Sequence, residues 1–212
     1  MSSFNYFFGI LGNNYSPIAT MLWLLMWLPV WGGMGYILEV EKKRRYLLLY
    51  RYQKKRKWWY RIYIRTSLWI ILYFTILFIL VNIYTIINHI DCDMLTSMVI
   101  LLILWLHAMT TQGVMLWVYN LWCQSALAFV VVLVSEILST FIILLGIQPK
   151  LCPFVWGMYS YSNQIFGKDG YSIDWIILWQ CIWMGLTLLL PPKTKCFMEL
   201  FIKENCRMED FQ

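Results

Sequence analysis

Two side chains in this sequence are placed to hold or pass a proton deep inside an apolar environment. They are His107 and Glu136, each near the middle of a long hydrophobic run. Gln180 lies at broadly similar depth in a later run. A carboxylic acid at the centre of a bilayer costs about 2.5–3.5 kcal/mol on insertion scales, so it normally faces the bundle interior and finds a partner. His107 is the natural partner for Glu136, with Gln180 as a second, and Ser135, Ser139 and Thr140 offer further donors. Two readings stand side by side: a polar element in a translocation or coupling path, and a satisfied pair that glues helices together.

Other chemistry is conspicuous by its missing motifs. There is no GxxxxGK[ST] loop, no HExxH pair and no GxSxG elbow, so the chain reads as no enzyme and no P-loop ATPase by itself. No cofactor or metal is implied, since the six cysteines lack zinc-ligand spacing. Cys92 and Cys152 both fall on the side expected to be external. There they stay as two thiols or, in an oxidising compartment, form a disulfide.

The elements that must position these residues follow from composition. The 212 residues are 61% hydrophobic and 13% charged, with a mean hydropathy of +0.62. A soluble domain carries about 25% charged residues, so a hydrophobic solvent is the simplest account. We expect an all-α, polytopic membrane helix bundle forming a single domain over residues 1–212. About five spans are expected, over residues 20–38, 67–87, 95–118, 126–147 and 175–190. Residues 1–19 read as an outer or interfacial lead-in, and residues 191–212 as a cytoplasmic tail. Within the outer stretch 148–174, residues 154–166 are too short to span and have the length of a re-entrant or interfacial helix.

Residues 42–65 hold 11 of the 17 Lys and Arg residues in the chain. Lys and Arg beside spans stay on the cytoplasmic side, which predicts an external N-terminus and a cytoplasmic C-terminus in a cell membrane. The block is squeezed between spans, so we expect anionic lipid headgroups and not nucleic acid as its electrostatic partners. Residues 40–65 are expected to form a basic connecting helix on the inner surface.

This layout resembles the permease subunit of ABC-2 type exporters. The resemblance covers most of residues 20–192 and rests on topology: a basic inner segment, closely linked spans, and a re-entrant-length stretch before the last span. Such permeases usually have six spans, against five here. The stretch from Arg51 to Arg61 is also similar to one in small permease-like proteins of bacterial ABC systems, some tied to antimicrobial-peptide export or resistance. The resemblance implies an ATPase partner supplying ATP and Mg, and a second permease subunit, same or sister chain. It also implies a peptide or lipid-like substrate. It places the ATPase contact on the inner segment, at Glu39, Glu41, Arg44, Arg45, Tyr50, Arg51, Tyr52, Lys54, Lys55, Arg56 and Lys57. The alternative is a small membrane immunity or regulatory protein without transport activity.

Overall fold

In hydrocarbon a long apolar run can satisfy its backbone polar groups only as a helix or in a closed barrel. The computed structural model describes residues 17–48, 55–89, 94–158, 161–163 and 170–189. Among these residues it holds five α-helices: α1 (Pro17–Leu48), α2 (Lys55–Ile87), α3 (Met94–Trp122), α4 (Ser125–Leu144) and α5 (Ile173–Leu189). The chain is an all-α membrane bundle. Four of the helices contain stretches long and apolar enough to cross a bilayer: Met21–Arg44, Lys57–Ile87, Met94–Trp122 and Ser125–Ile143. The 17 residues of α5 rise about 25 Å at 1.5 Å each, at the lower limit for a span.

One expectation is corrected at the basic block. No separate connecting helix appears among the described residues. Instead α1 runs unbroken to Leu48 and α2 starts at Lys55, so the block extends the two spans themselves. Lys and Arg are strong helix formers, and leaving the apolar zone gives the helix no reason to stop. The Ser125 hydroxyl, at the start of α4, donates to Glu39 Oε1 at 2.7 Å. The nine residues of α1 beyond Glu39 therefore carry the hairpin about 13 Å past the α3–α4 turn. We call this the basic end of the bundle, and the opposite one the far end.

The core is built around α3. Residues 106–113 are buried without interruption, which requires neighbours on every side. These neighbours are α2, α4 and α5, while α1 closes the bundle against α2 and α4. Small residues let the backbones approach. A Cβ on Gly113 would meet Thr187 Cγ2 of α5 at 2.6 Å, and one on Gly33 of α1 would collide with the Trp69 indole of α2. Trp23, Trp27 and Trp31 recur every four residues along α1 and form one buried stripe. Trp27 and Trp31 stack with centroids 5.8 Å apart.

At the far end, where a helix of re-entrant length is expected over residues 154–166, the structure describes residues 154–158 and 161–163. Two 3-10 turns, Pro149–Leu151 and Pro153–Val155, stand there. A proline at the head of each turn lacks the N–H that an α-helix entering from before it would need. The segment nevertheless folds inward: Val155 and Met158 belong to the main core. Tyr171 anchors its return, donating its hydroxyl to the Met158 carbonyl at 2.6 Å.

Candidate functional site

His107 and Glu136 meet. α3 and α4 are antiparallel neighbours joined by a short turn, and each presents its one mid-helix ionisable residue to the other. His107 Nε2 lies 2.7 Å from Glu136 Oε1, and both side chains are fully buried. The second carboxylate oxygen is reached from α1, where Trp23 Nε1 donates to Glu136 Oε2 at 3.4 Å. Three helices are thus pinned at one carboxylate.

The walls of this centre are aromatic and tight. The Trp27 ring stands edge-on to the imidazole with centroids 5.0 Å apart. The Trp23 ring lies at 6.2 Å. From the far end, Gly157 presses its backbone on the imidazole, so that a Cβ there would meet His107 Cγ at 2.6 Å. His107 Nδ1 has no partner among the described residues. Chemically, the centre can exist as imidazolium with carboxylate or as imidazole with carboxylic acid. The two forms hold the same number of protons, so the bundle carries no net charge here in either.

Gln180 is also wholly buried, but it does not join this pair. Its amide nitrogen and oxygen have no hydrogen-bond partner among the described residues. α3 and α5 run parallel, and Gly113 meets Thr187. Two turns higher, Gln180 sits level with Leu106, on the α5 face that packs against α3. Ser135, Ser139 and Thr140 do not donate to Glu136. Each returns its hydroxyl to its own helix, at Val131, Ser135 and Ile137 respectively.

The second polar cluster sits at the basic end. Arg65 Nη1 of α2 is ion-paired to Glu41 Oε1 of α1. Glu41 is completely buried while the Arg65 side chain is 38% exposed. Placing Glu41 on a docking surface is therefore corrected: it clasps the hairpin from within. Glu39 is half-exposed, 3.9 Å from Lys42, and Arg44 and Lys57 are exposed. Arg45, Lys55 and Arg56 lie on the backbone of the two helices, while Tyr50, Arg51, Tyr52 and Lys54 fall outside the described residues. Deeper in, Gln112 Nε2 of α3 donates to the Tyr63 carbonyl at 2.9 Å and to Thr66 Oγ1 at 2.6 Å. Trp59 Nε1 donates to the Thr187 carbonyl at 3.1 Å. The hairpin is therefore tied to α3 and α5 as well as clasped upon itself.

Of the cysteines, Cys152 is a free, buried thiol, so no bridge joins it to Cys92, which lies outside the described residues. Burial pushes the Cys152 thiol up from its ordinary value. Cys123, in the turn at the basic end, is disulfide-bonded. Disulfides are rare in a reducing cytosol, whereas the charge of this end favours the cytoplasmic side.

Sequence reasoning missed Arg65, Trp23 and Gly157 as parts of these clusters. The four-residue repeat of Trp23, Trp27 and Trp31 was a usable signal for the first helix. Nothing local marks Gly157, whose role depends on a chain reversal. No group of three or more potential metal ligands occurs among the described residues. No family model, curated protein or solved structure matches the chain.

Proposed function

We propose that this protein is the membrane subunit of an ABC-type exporter, coupling ATP hydrolysis by a separate chain to movement of a peptide or lipid-like substrate. One observation carries the reading: the basic ends of α1 and α2 are helical and continuous with the spans, up to Leu48 and from Lys55. A partner that pushes on Arg44 or Lys57 pushes on α1 and α2 directly, through the Glu41–Arg65 clasp, with no flexible joint at the described ends of the helices. α1 carries the Trp stripe that walls His107, so a tilt of α1 reaches the bundle centre. In this role the His107–Glu136–Trp23 cluster is the fixed pin about which the helices move, and a sister subunit or second copy completes the path. The basic end faces the cytoplasm in this reading.

Affinity purification from native membranes in mild detergent tests it. The expected result is co-recovery of a nucleotide-binding subunit whose ATPase rate changes when this chain is bound. Recovery of a folded chain with no such subunit moves the assignment to a non-transporting immunity or regulatory protein. A Lys55→Cys variant checks orientation: in intact cells it should resist a membrane-impermeant thiol reagent, and rapid labelling would invert the topology.

A further inference from the structure

A wide apolar cleft opens between helices beside the central polar cluster. α4 and α5 each pack on α3 but scarcely on each other. The gap between them holds a cleft of about 720 Å³. Val114 and Trp117 of α3 form its floor, and Trp183 and Leu186 of α5 form one wall. Phe154 and Trp156 of the far-end segment close its upper end. The two hydroxyls that border it, Thr110 and Ser135, are bonded back to Leu106 and Val131. The cleft therefore offers shape and apolar surface, without a free polar anchor.

We propose that this cleft is a binding site for one acyl chain of a membrane phospholipid, drawn from the leaflet at the basic end. Three features select that occupant. Along α3 the cleft runs from Thr110 to Trp122, about 18 Å at 1.5 Å per residue. That matches one leaflet, about half of the roughly 30 Å hydrocarbon thickness. It is also blind: the far-end segment caps it at mid-depth, so a transmembrane helix of a second copy would run into Phe154. Finally, the lining is apolar and its two hydroxyls are already bonded to their own helices, which suits a hydrocarbon chain with no polar group to satisfy. An alkyl chain is thin enough to lie along this lining with its headgroup left in the interface at the basic end. Trp122, 55% exposed at that end, is the residue type that sits at headgroup level.

The test uses the full chain in lipid nanodiscs containing a trace of phospholipid with a diazirine at the tip of one acyl chain. After irradiation, adducts are mapped by mass spectrometry. The expected result is concentration of adducts at the capped end, on Thr110, Phe154 and Trp156, above those on the lipid-facing residues Ile76 and Leu80 of α2. Filling the cleft by Val114→Trp from the floor, or Leu186→Trp from the wall, should lower the cleft adducts about tenfold and leave those on α2 unchanged. Circular dichroism of each variant confirms the fold, and two fillers from different helices keep the test decisive if one misfolds. Equal labelling of cleft and α2, unmoved by the fillers, would mean ordinary boundary lipid and overturn the proposal. So would a cleft that stays unlabelled while cross-linking to a second copy.

Discussion

Among the described residues two glutamates are buried, Glu41 and Glu136, and the contrast between them shows how position decides what a buried acid needs. Glu136 sits mid-membrane and meets an imidazole, a group that can exist neutral. Glu41 sits at the basic end and meets Arg65, whose guanidinium stays charged in proteins. The first pair can exchange a proton internally and become two neutral groups in a dry setting. The second is a permanent ion pair, tolerable because Arg65 keeps one side in water. The mid-membrane carboxyl is thus met by an imidazole and an indole inside the bundle, and the basic-end one by a fixed charge at the bundle's edge.

The sharpest way to break this comparison is to remove the partner that keeps Glu41 company. Arg65→Met should leave a buried uncompensated carboxylate and cost about 3–5 kcal/mol, read as a large drop in thermal midpoint in detergent. Glu41→Gln should cost clearly less, since Arg65 can turn fully to solvent. Equal losses from the two variants would mean that the clasp has no buried side.

The central pair should respond more mildly to conservative change. Glu136→Gln keeps an acceptor for Trp23 and a hydrogen-bonding group for His107, and should cost about 1 kcal/mol. Glu136→Leu orphans both donors and should cost about 1–3 kcal/mol. Adding His107→Leu to it should restore part of that loss, because an apolar pair fits where a lone polar group does not. A double-mutant cycle in thermal unfolding measures the coupling. Additivity within about 0.5 kcal/mol would show that the 2.7 Å contact contributes nothing.

Gly157→Ala asks whether the far-end segment truly rests on the imidazole. The added methyl would overlap the ring, and overpacking of this kind costs about 1–3 kcal/mol. Gly32→Ala, where a Cβ meets nothing within 4 Å, is the matched control and should be neutral or slightly stabilising. Indistinguishable midpoints for the two would remove the contact from the account.

The smallest effect concerns Cys152. Its folded-state thiol is shifted up by burial, so the folded chain holds that proton to higher pH than the unfolded one. The associated stability is whole below the ordinary thiol range, about 8.5, and fades as pH rises from there toward the folded value. Alkylation of Cys152 should be slow at neutral pH. Fast modification under native conditions would contradict its burial.

Much of the architecture was legible in the sequence because spans are specified by length and apolarity alone. The helix class followed from those, and the Glu136–His107 contact followed from the cost of a lone acid at mid-depth. What stayed hidden depended on three-dimensional reversals. Arg65 looked like the last member of a basic run, and only the antiparallel return of α2 on α1 makes it the partner of Glu41. Gln180 looked equivalent to His107 by depth, yet the helical phase of α5 keeps it off the pair. The separate connecting helix expected over residues 40–65 is instead the continuation of two spans, because charge marks a boundary for the membrane and not for the helix.

The shortness of α5 has a consequence for the surrounding membrane. A helix rising about 25 Å stands in the same bundle as α2, whose 33 residues rise about 50 Å. Over the described residues lipid beside α5 meets an apolar face about half as tall as that of α2, so the annulus there is lopsided. Mismatch of this kind costs fractions of a kcal/mol per Å. The protein should accordingly gather in thinner bilayers, and in any bilayer it should present its α5 side to whatever neighbour relieves the pinch.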